Sequence, residues 1–136
     1  MRKKLRLGLL TAATPVIALT SVAPVSAEAA QRQLLVFAPP DSAALTVQRQ
    51  LLATSADMLR DRDLVVIDFD TVHRPANLLQ SRYKVARNAF TVLLIGKDGG
   101  IKLRSVEPVR PERLFAIIDA MPMRQEEMHR RSDRRR

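Results

Sequence analysis

The sequence predicts one α/β domain of order β-α-β-α-β-β-α, a four-stranded mixed sheet with helices on both faces. Three observations carry that expectation. Leu34-Leu35-Val36-Phe37 and Leu64-Val65-Val66-Ile67 are short apolar runs without alternation, as buried parallel strands require, and a helix-length segment separates them. Phe90 to Gly96 and Ile101 to Ser105 flank Lys97-Asp98-Gly99-Gly100, where Asp98-Gly99 supplies the positive φ angles of a tight hairpin turn. Pro111 then opens a segment whose Leu114, Phe115, Ile117, Ile118 and Met121 can cover a sheet.

The first strand is expected over Gln33 to Ala38. After Pro39-Pro40, Asp41 is the expected N-cap of a helix, its carboxylate accepting from backbone N–H groups one turn on. Leu45, Leu52, Ala56 and Leu59, with Leu51 and Met58 beside them, make one apolar stripe, so Gln48, Arg49, Gln50, Asp57 and Arg60 are expected to face away. Asp61-Arg62-Asp63 ends the pattern, and Leu64 to Asp70 reads as a β-branched second strand that closes a right-handed crossover. Arg74-Pro75 suits the opening of a short helix through Leu78, Leu79, Arg82 and Tyr83. In the hairpin, Ile101 and Leu103 alternate with Lys102 and Arg104, which predicts an edge strand with one buried face. Pro122 is expected to kink or restart the last helix.

The N-terminus stands apart from this domain. Arg2, Lys3, Lys4 and Arg6 precede an apolar run from Leu7 to Val25 that ends in Val25-Ser26-Ala27, the small-residue pattern of a signal-peptide cleavage site. Residues 1–27 are therefore expected to be a secretory signal peptide cut between Ala27 and Glu28, which leaves a domain over 28–123 and a basic, partly disordered tail over 124–136. Pro15, Pro24 and the diluting alanines, threonines and serine argue against a retained membrane anchor. The chain has no cysteine, so it carries neither lipoprotein attachment nor disulfide, and an exported domain of this size must be held by packing. The destination so implied is the periplasm or the extracellular space.

The formal charge of +9 is unevenly spread. Four basic residues lie in the leader, and residues 124–136 hold six arginines against three acids, so Glu28 to Met123 carries 13 basic and 11 acidic residues. A nearly neutral body argues against nucleic acid as a partner. The tail arginines Arg130, Arg131, Arg134, Arg135 and Arg136 could instead meet an anionic surface, with binding that weakens as salt rises.

The order of elements and the run from Arg82 to Ser105, RYKVARNAFTVLLIGKDGGIKLRS, resemble the second half of the thioredoxin-like fold. More narrowly, LLVFAP from Leu34, DLVV from Asp63, FTVLLIGKDGGIKLRS and ERLFAIIDAMPMRQEEM resemble the bacterial family known as domain of unknown function 4174, which is similar to the peroxiredoxin-related module of some animal extracellular-matrix proteins. The likeness spans about residues 31–129. In redox-active members of the wider fold, the first strand delivers a cysteine to a helix N-terminus, where the helix dipole favours thiolate. Here Pro39-Pro40-Asp41-Ser42 fills that region, and Phe90 precedes Thr91 where those enzymes carry a cis-proline. Serine cannot replace the thiol, because its hydroxyl neither ionises near neutral pH nor cycles through sulfenic acid. The resemblance therefore implies the scaffold without the redox chemistry.

The remaining candidates are modest. Asp41 and Ser42 beside the helix start, with Lys97, Lys102 and Arg104 around the hairpin, form the candidate interaction surface. The bland reading is a helix cap in the first case and edge-strand protection in the second. Asp68 and Asp70 project to one side of a strand end and, with His73, could serve acid–base chemistry, and Ser42 completes a triad on paper, yet no glycine-flanked elbow supports one. Neither His73 nor His129 has metal-ligand spacing. Met121, Met123 and Met128 read as core and helix-end filler. No catalytic, cofactor or metal site is assigned. The sequence favours an exported, non-catalytic binding module whose partner is another envelope or extracellular protein, over a cysteine-independent enzyme or a polyanion adaptor.

Overall fold

A computed structural model describes residues 31–70, apart from the side chain of Asp70, and residues 77–136. The chain forms β1 (Arg32–Ala38), α1 (Ala43–Ala53), α2 (Ala56–Asp61), β2 (Leu64–Asp70), α3 (Asn77–Tyr83), β3 (Thr91–Ile95), β4 (Ile101–Ser105), α4 (Pro111–Asp119) and α5 (Pro122–Asp133). The sheet runs β2-β1-β3-β4, with β1 and β2 parallel and the pairs β1–β3 and β3–β4 antiparallel. This is the thioredoxin-like α/β arrangement that the element order predicts.

Buried position decides strand composition. β1 lies inside the sheet and buries Leu34 through Ala38 without a break, and β3 buries all five of its residues, which is why neither run alternates. On one face Leu34, Val36, Ala38, Val92 and Leu94 pack with Leu45 and Leu52 of α1 and with Leu114, Phe115 and Ile118 of α4. On the other face Leu35, Phe37, Leu93 and Ile95 pack with Val85, and Leu79 and Tyr83 of α3 lie against them. The Phe37 and Phe69 rings stack there at 5.2 Å between centroids.

Several local expectations change in the folded chain. The helix predicted from Asp41 to Arg60 is two helices, because the Leu52 carbonyl accepts from Ser55 N–H and the chain turns at Thr54-Ser55. Asp41 is not its cap: that residue turns the backbone at φ 56°, and Ser42, in extended geometry, accepts from Leu45 N–H through its Oγ. β2, expected to be as buried as β1, is an edge strand whose residues Val65 to Phe69 are half-buried. The hairpin carries a bulge. Leu94 pairs with Leu103 and Ile95 with Ile101, so Lys102 has no opposite residue and Ile101 falls on the other face from Leu103, 44 % exposed. Leu78, expected in the short helix with Leu79, is 88 % exposed there, while Gln80 is buried. The opening of that helix at Arg74-Pro75 lies outside the described residues.

The C-terminal region departs most. Pro122, at the first helical position, restarts a helix that runs to Asp133, so the segment expected to loosen beyond Met123 is ordered into α5. Met121 packs on the core, but Met123 and Met128 are exposed rather than filler. No helix among the described residues is long and apolar enough to cross a membrane.

Gln48, expected to face solvent, is 1 % exposed. Its amide pairs with the backbone of Val109 as another strand would, Nε2 donating to the Val109 carbonyl at 3.0 Å and Oε1 accepting from Val109 N–H at 2.7 Å. That pair fixes the link between β4 and α4 against α1. Gln48→Leu leaves both Val109 groups buried without partners, and the expected loss is about 3 kcal/mol in chemical denaturation, since each orphaned buried group costs about 1–3 kcal/mol. A loss within error of zero would mean that water reaches Val109.

Candidate functional site

The two ends of the sheet differ in kind. At the carboxyl end of β1 the chain leaves the core through Pro39 and Pro40 and enters α1 at Ser42. This is where the fold can aim a nucleophile at a helix N-terminus. Ser42 Oγ sits 3.3 Å from Leu45 N and its carbonyl accepts from Thr46 N–H, so the residue is spent on starting the helix. Asp41 is exposed beside it. Thr91, 4 % exposed, begins β3 opposite Phe37. Asp68 accepts from Arg49 Nε at 2.7 Å in a largely exposed pair. The Asp70 side chain, His73, and the cleavage junction Ala27-Glu28 lie outside the described residues, so neither the carboxylate pair nor the triad has a geometry to report. Among the described residues no group of three His, Cys, Asp or Glu side chains could hold a metal ion.

The opposite end is built from charge. There the start of β1, the end of α2, the hairpin turn and the α4–α5 junction converge on four carboxylates. Glu127 accepts from Arg32 through both oxygens, at 3.2 and 3.3 Å, and from Lys97 at 2.8 Å. Asp63 holds the same Lys97 at 2.8 Å. Asp119 takes Arg62 in a two-point pair at 3.0 and 2.6 Å and Arg124 Nε at 3.2 Å. Asp61 binds Arg124 and Arg131. Arg124 also donates to the Asp61 carbonyl at 2.9 Å, and the Arg62 guanidinium lies 4.5 Å from the centre of the Phe115 ring.

The five residues of the candidate interaction surface are therefore not one surface. Asp41 and Ser42 are at the carboxyl end of β1, and Lys97 is at the other end, where its side chain is only 12 % exposed and bound to two carboxylates. Lys102 pairs with Asp98 at 2.7 Å across the turn. Arg104 is exposed on the edge strand and donates to the Tyr83 carbonyl. Of the tail arginines, Arg131 is held by Asp61 and Arg130 lies 3.5 Å from Glu126, while Arg134, Arg135 and Arg136 follow at the exposed end of α5. Sequence reading missed Arg32, Arg62 and Arg124 as interior groups. The available signal was the spacing of Arg124 and Glu127, three apart and so on one helix face, just after Pro122.

The network moves proton affinities. Burial pushes the Asp61, Asp119 and Glu127 carboxyls up, but their arginine and lysine partners outweigh it and hold all three below the usual carboxylate range. Burial likewise pulls Lys97 down, and the bonds to Asp63 and Glu127 reverse it, so its ammonium is held above the ordinary value.

The family model described as Domain of unknown function (DUF4174) matches residues 26–127. No curated protein matches the sequence. A solved structure described as "Structure of a malarial protein" aligns with a TM-score of 0.53 at 17 % identity, over 65 % of this chain and 94 % of that one. At that identity the likeness concerns the fold.

Arg124 is the test of the network, because its side chain is 3 % exposed and three carboxylates surround it. Arg124→Ala is expected to cost about 3–5 kcal/mol in chemical denaturation, as breaking a buried pair does. Arg130→Ala, at an exposed pair, should stay within about 0.5 kcal/mol. Equal effects would show that the pairs in the interior are solvated. Because folding lowers the three carboxyl pKa values, the unfolded chain binds more protons below about pH 5, so stability should be level near neutrality and fall as pH drops through that range. Lys97 works in the other direction: its contribution is complete below the ordinary lysine value of 10.5 and is lost as pH rises beyond it. Denaturation midpoints measured from pH 2 to 7 check the acid limb, and Glu127→Gln should flatten it.

Proposed function

The chain belongs to the DUF4174 family, a domain of unknown function, and from that premise we propose that it is a non-catalytic binding module, exported from the cell, that acts by contact with another protein of the envelope or the extracellular space. One observation carries the reading. At the carboxyl end of β1, where the thioredoxin-like fold sets its reactive thiol, Ser42 caps α1 and the chain has no cysteine to take its place. Without a sulfur nucleophile this architecture lacks the two-electron couple of dithiol and disulfide.

Other features support the same reading. The leader-like residues 1–27 favour export, and a cysteine-free domain tied by ion pairs suits an oxidising compartment, where it has no thiol to lose. The β1 carboxyl end also offers contact surface. β4 ends on that side, since Ser105 pairs with Val92 and Val92 with Val36, and the next residue, Val106, is 71 % exposed. An exposed apolar side chain at the same end of the sheet as the exposed Asp41 gives a partner something to cover.

The purified chain is expected neither to accelerate reduction of a protein disulfide by dithiothreitol nor to consume hydrogen peroxide, whereas Ser42→Cys should react with peroxide because the helix start lowers a thiol pKa there. Turnover by the unsubstituted protein in either assay would overturn the proposal. A photo-crosslinker at Glu107, next to Val106, should capture a recurring partner, and adding Val106→Asp should abolish the capture with an unchanged melting temperature.

A further inference from the structure

The sheet has two edges, and they are built differently. β4 carries Lys102, Arg104 and a bulge, the devices by which an edge strand discourages another strand from pairing with it. β2 has none of them: it holds no lysine, arginine, proline or glycine, and its ladder with β1 is regular from end to end. Its only charged residues, Asp68 and Asp70, stand in its last turn of alternation. Val65, Val66, Ile67 and Phe69 are half-buried, and among the described residues no strand flanks them on the outer side.

The hydrogen bonds show which backbone groups face outward. Arg32 N–H donates to the Asp63 carbonyl at 2.9 Å, so the odd-numbered residues of β2 turn their N–H and C=O groups toward β1. Alternation then points those of Leu64, Val66 and Asp68 away from the sheet. Among the described residues nothing takes them. Such a row of unpaired donors and acceptors is a template for one more strand.

A hollow of about 390 Å³ adjoins that edge, lined by Leu59 and Arg60 of α2 and by Leu64 and Val66 of β2. Arg60 pairs with the exposed Asp57 at 3.1 Å and is itself exposed. The acid that lines the hollow, Asp63, is already held by Lys97. A strand that fits here therefore offers an apolar run and then a carboxylate for Arg60. β2 itself is such a strand. Asp68 lies on the same face as Leu64 and Val66, where it accepts from Arg49 of α1 at 2.7 Å and keeps 26 % of its side chain exposed.

We infer that the outer edge of β2 is an interface between two copies of this chain, which pair antiparallel about Val66 into one continuous sheet. The two-fold axis sets Val66 opposite Val66 and Leu64 opposite Asp68 of the second copy, and each pair exchanges hydrogen bonds through the outward backbone groups. The faces of the two sheets match across the axis, because opposed residues of an antiparallel pair project to one side. Asp68 of each copy then comes beside the hollow that Arg60 lines in the other. Pairing about Asp68 instead would set carboxylate against carboxylate. β2 and β4 are opposite edges of the sheet, so the dimer stands independently of the proposed contact surface at Val106.

The chain has no cysteine, so one introduced thiol reports the pairing without competition. Opposed residues of this kind have Cα atoms about 5.5 Å apart, within disulfide reach. Under air oxidation of the full chain, Val66→Cys should form a disulfide-linked dimer about tenfold faster than Ser81→Cys, at an exposed position of α3. Sedimentation velocity of the unsubstituted chain should show a reversible dimer with Kd in the micromolar range. Arg60→Glu, which touches no buried group, should weaken that dimer about tenfold with an unchanged melting temperature. A chain that stays monomeric to high micromolar concentration would overturn the inference, whether solvent or another segment occupies the edge. So would a dimer in which Val66→Cys is trapped no faster than Ser81→Cys, since another surface then holds it.

Discussion

The long-range ion pairs of this domain depend on one constraint: buried arginines must be answered by carboxylates from elsewhere in the chain. Arg32 opens the central strand β1 and Arg124 lies in the first turn of α5, and neither reaches water. An unpaired charge in that setting costs several kcal/mol. Glu127, Asp61 and Asp119 can answer only if β1, the α2–β2 junction and the α4–α5 junction are all in their places. The pairs therefore specify which elements meet, whatever they contribute to net stability. In a chain without cysteine they supply long-range ties that no disulfide can.

The two ends of the sheet divide the work accordingly. At the carboxyl end of β1 the polar groups satisfy each other locally, Ser42 with the first turn of α1 and Asp68 with Arg49, and the exposed surface is a loop and a valine. At the amino end long-range pairs cross the molecule. A fold that elsewhere spends its first helix start on activating a thiol here spends it on capping. Its last helix start, on α5, has no side-chain cap. Gln48 belongs to the same economy of polar groups: a side-chain amide standing in for a strand fixes the α4 approach without any charge.

Much of the architecture was legible because it follows from periodicity and turn chemistry. The strands, the hairpin at Asp98-Gly99 and the start of α4 at Pro111 are where the apolar runs, the glycine and the proline require them. Position within the sheet was less legible, since an apolar β-branched run reads alike in a centre and at an edge, and β2 is at an edge. The bulge that turns Ile101 away from Leu103 is a matter of pairing register with β3, which the alternation along β4 does not carry. The tail misled most. Six arginines in its last 13 residues look like solvated chain until Asp61, 63 residues before Arg124, and Asp119, five before it, are brought beside it in space.

By itself, then, the sequence determined the order of the strands and the lack of any thiol chemistry, because each of these is set by local pattern or by composition. Only the tertiary structure decided which polar residues are interior. Gln48, Lys97, Arg32 and Arg124 differ from exposed residues of the same type in the distant partner that folding brings to them, and apart from the helical spacing of Arg124 and Glu127 their neighbours along the chain do not encode that partner.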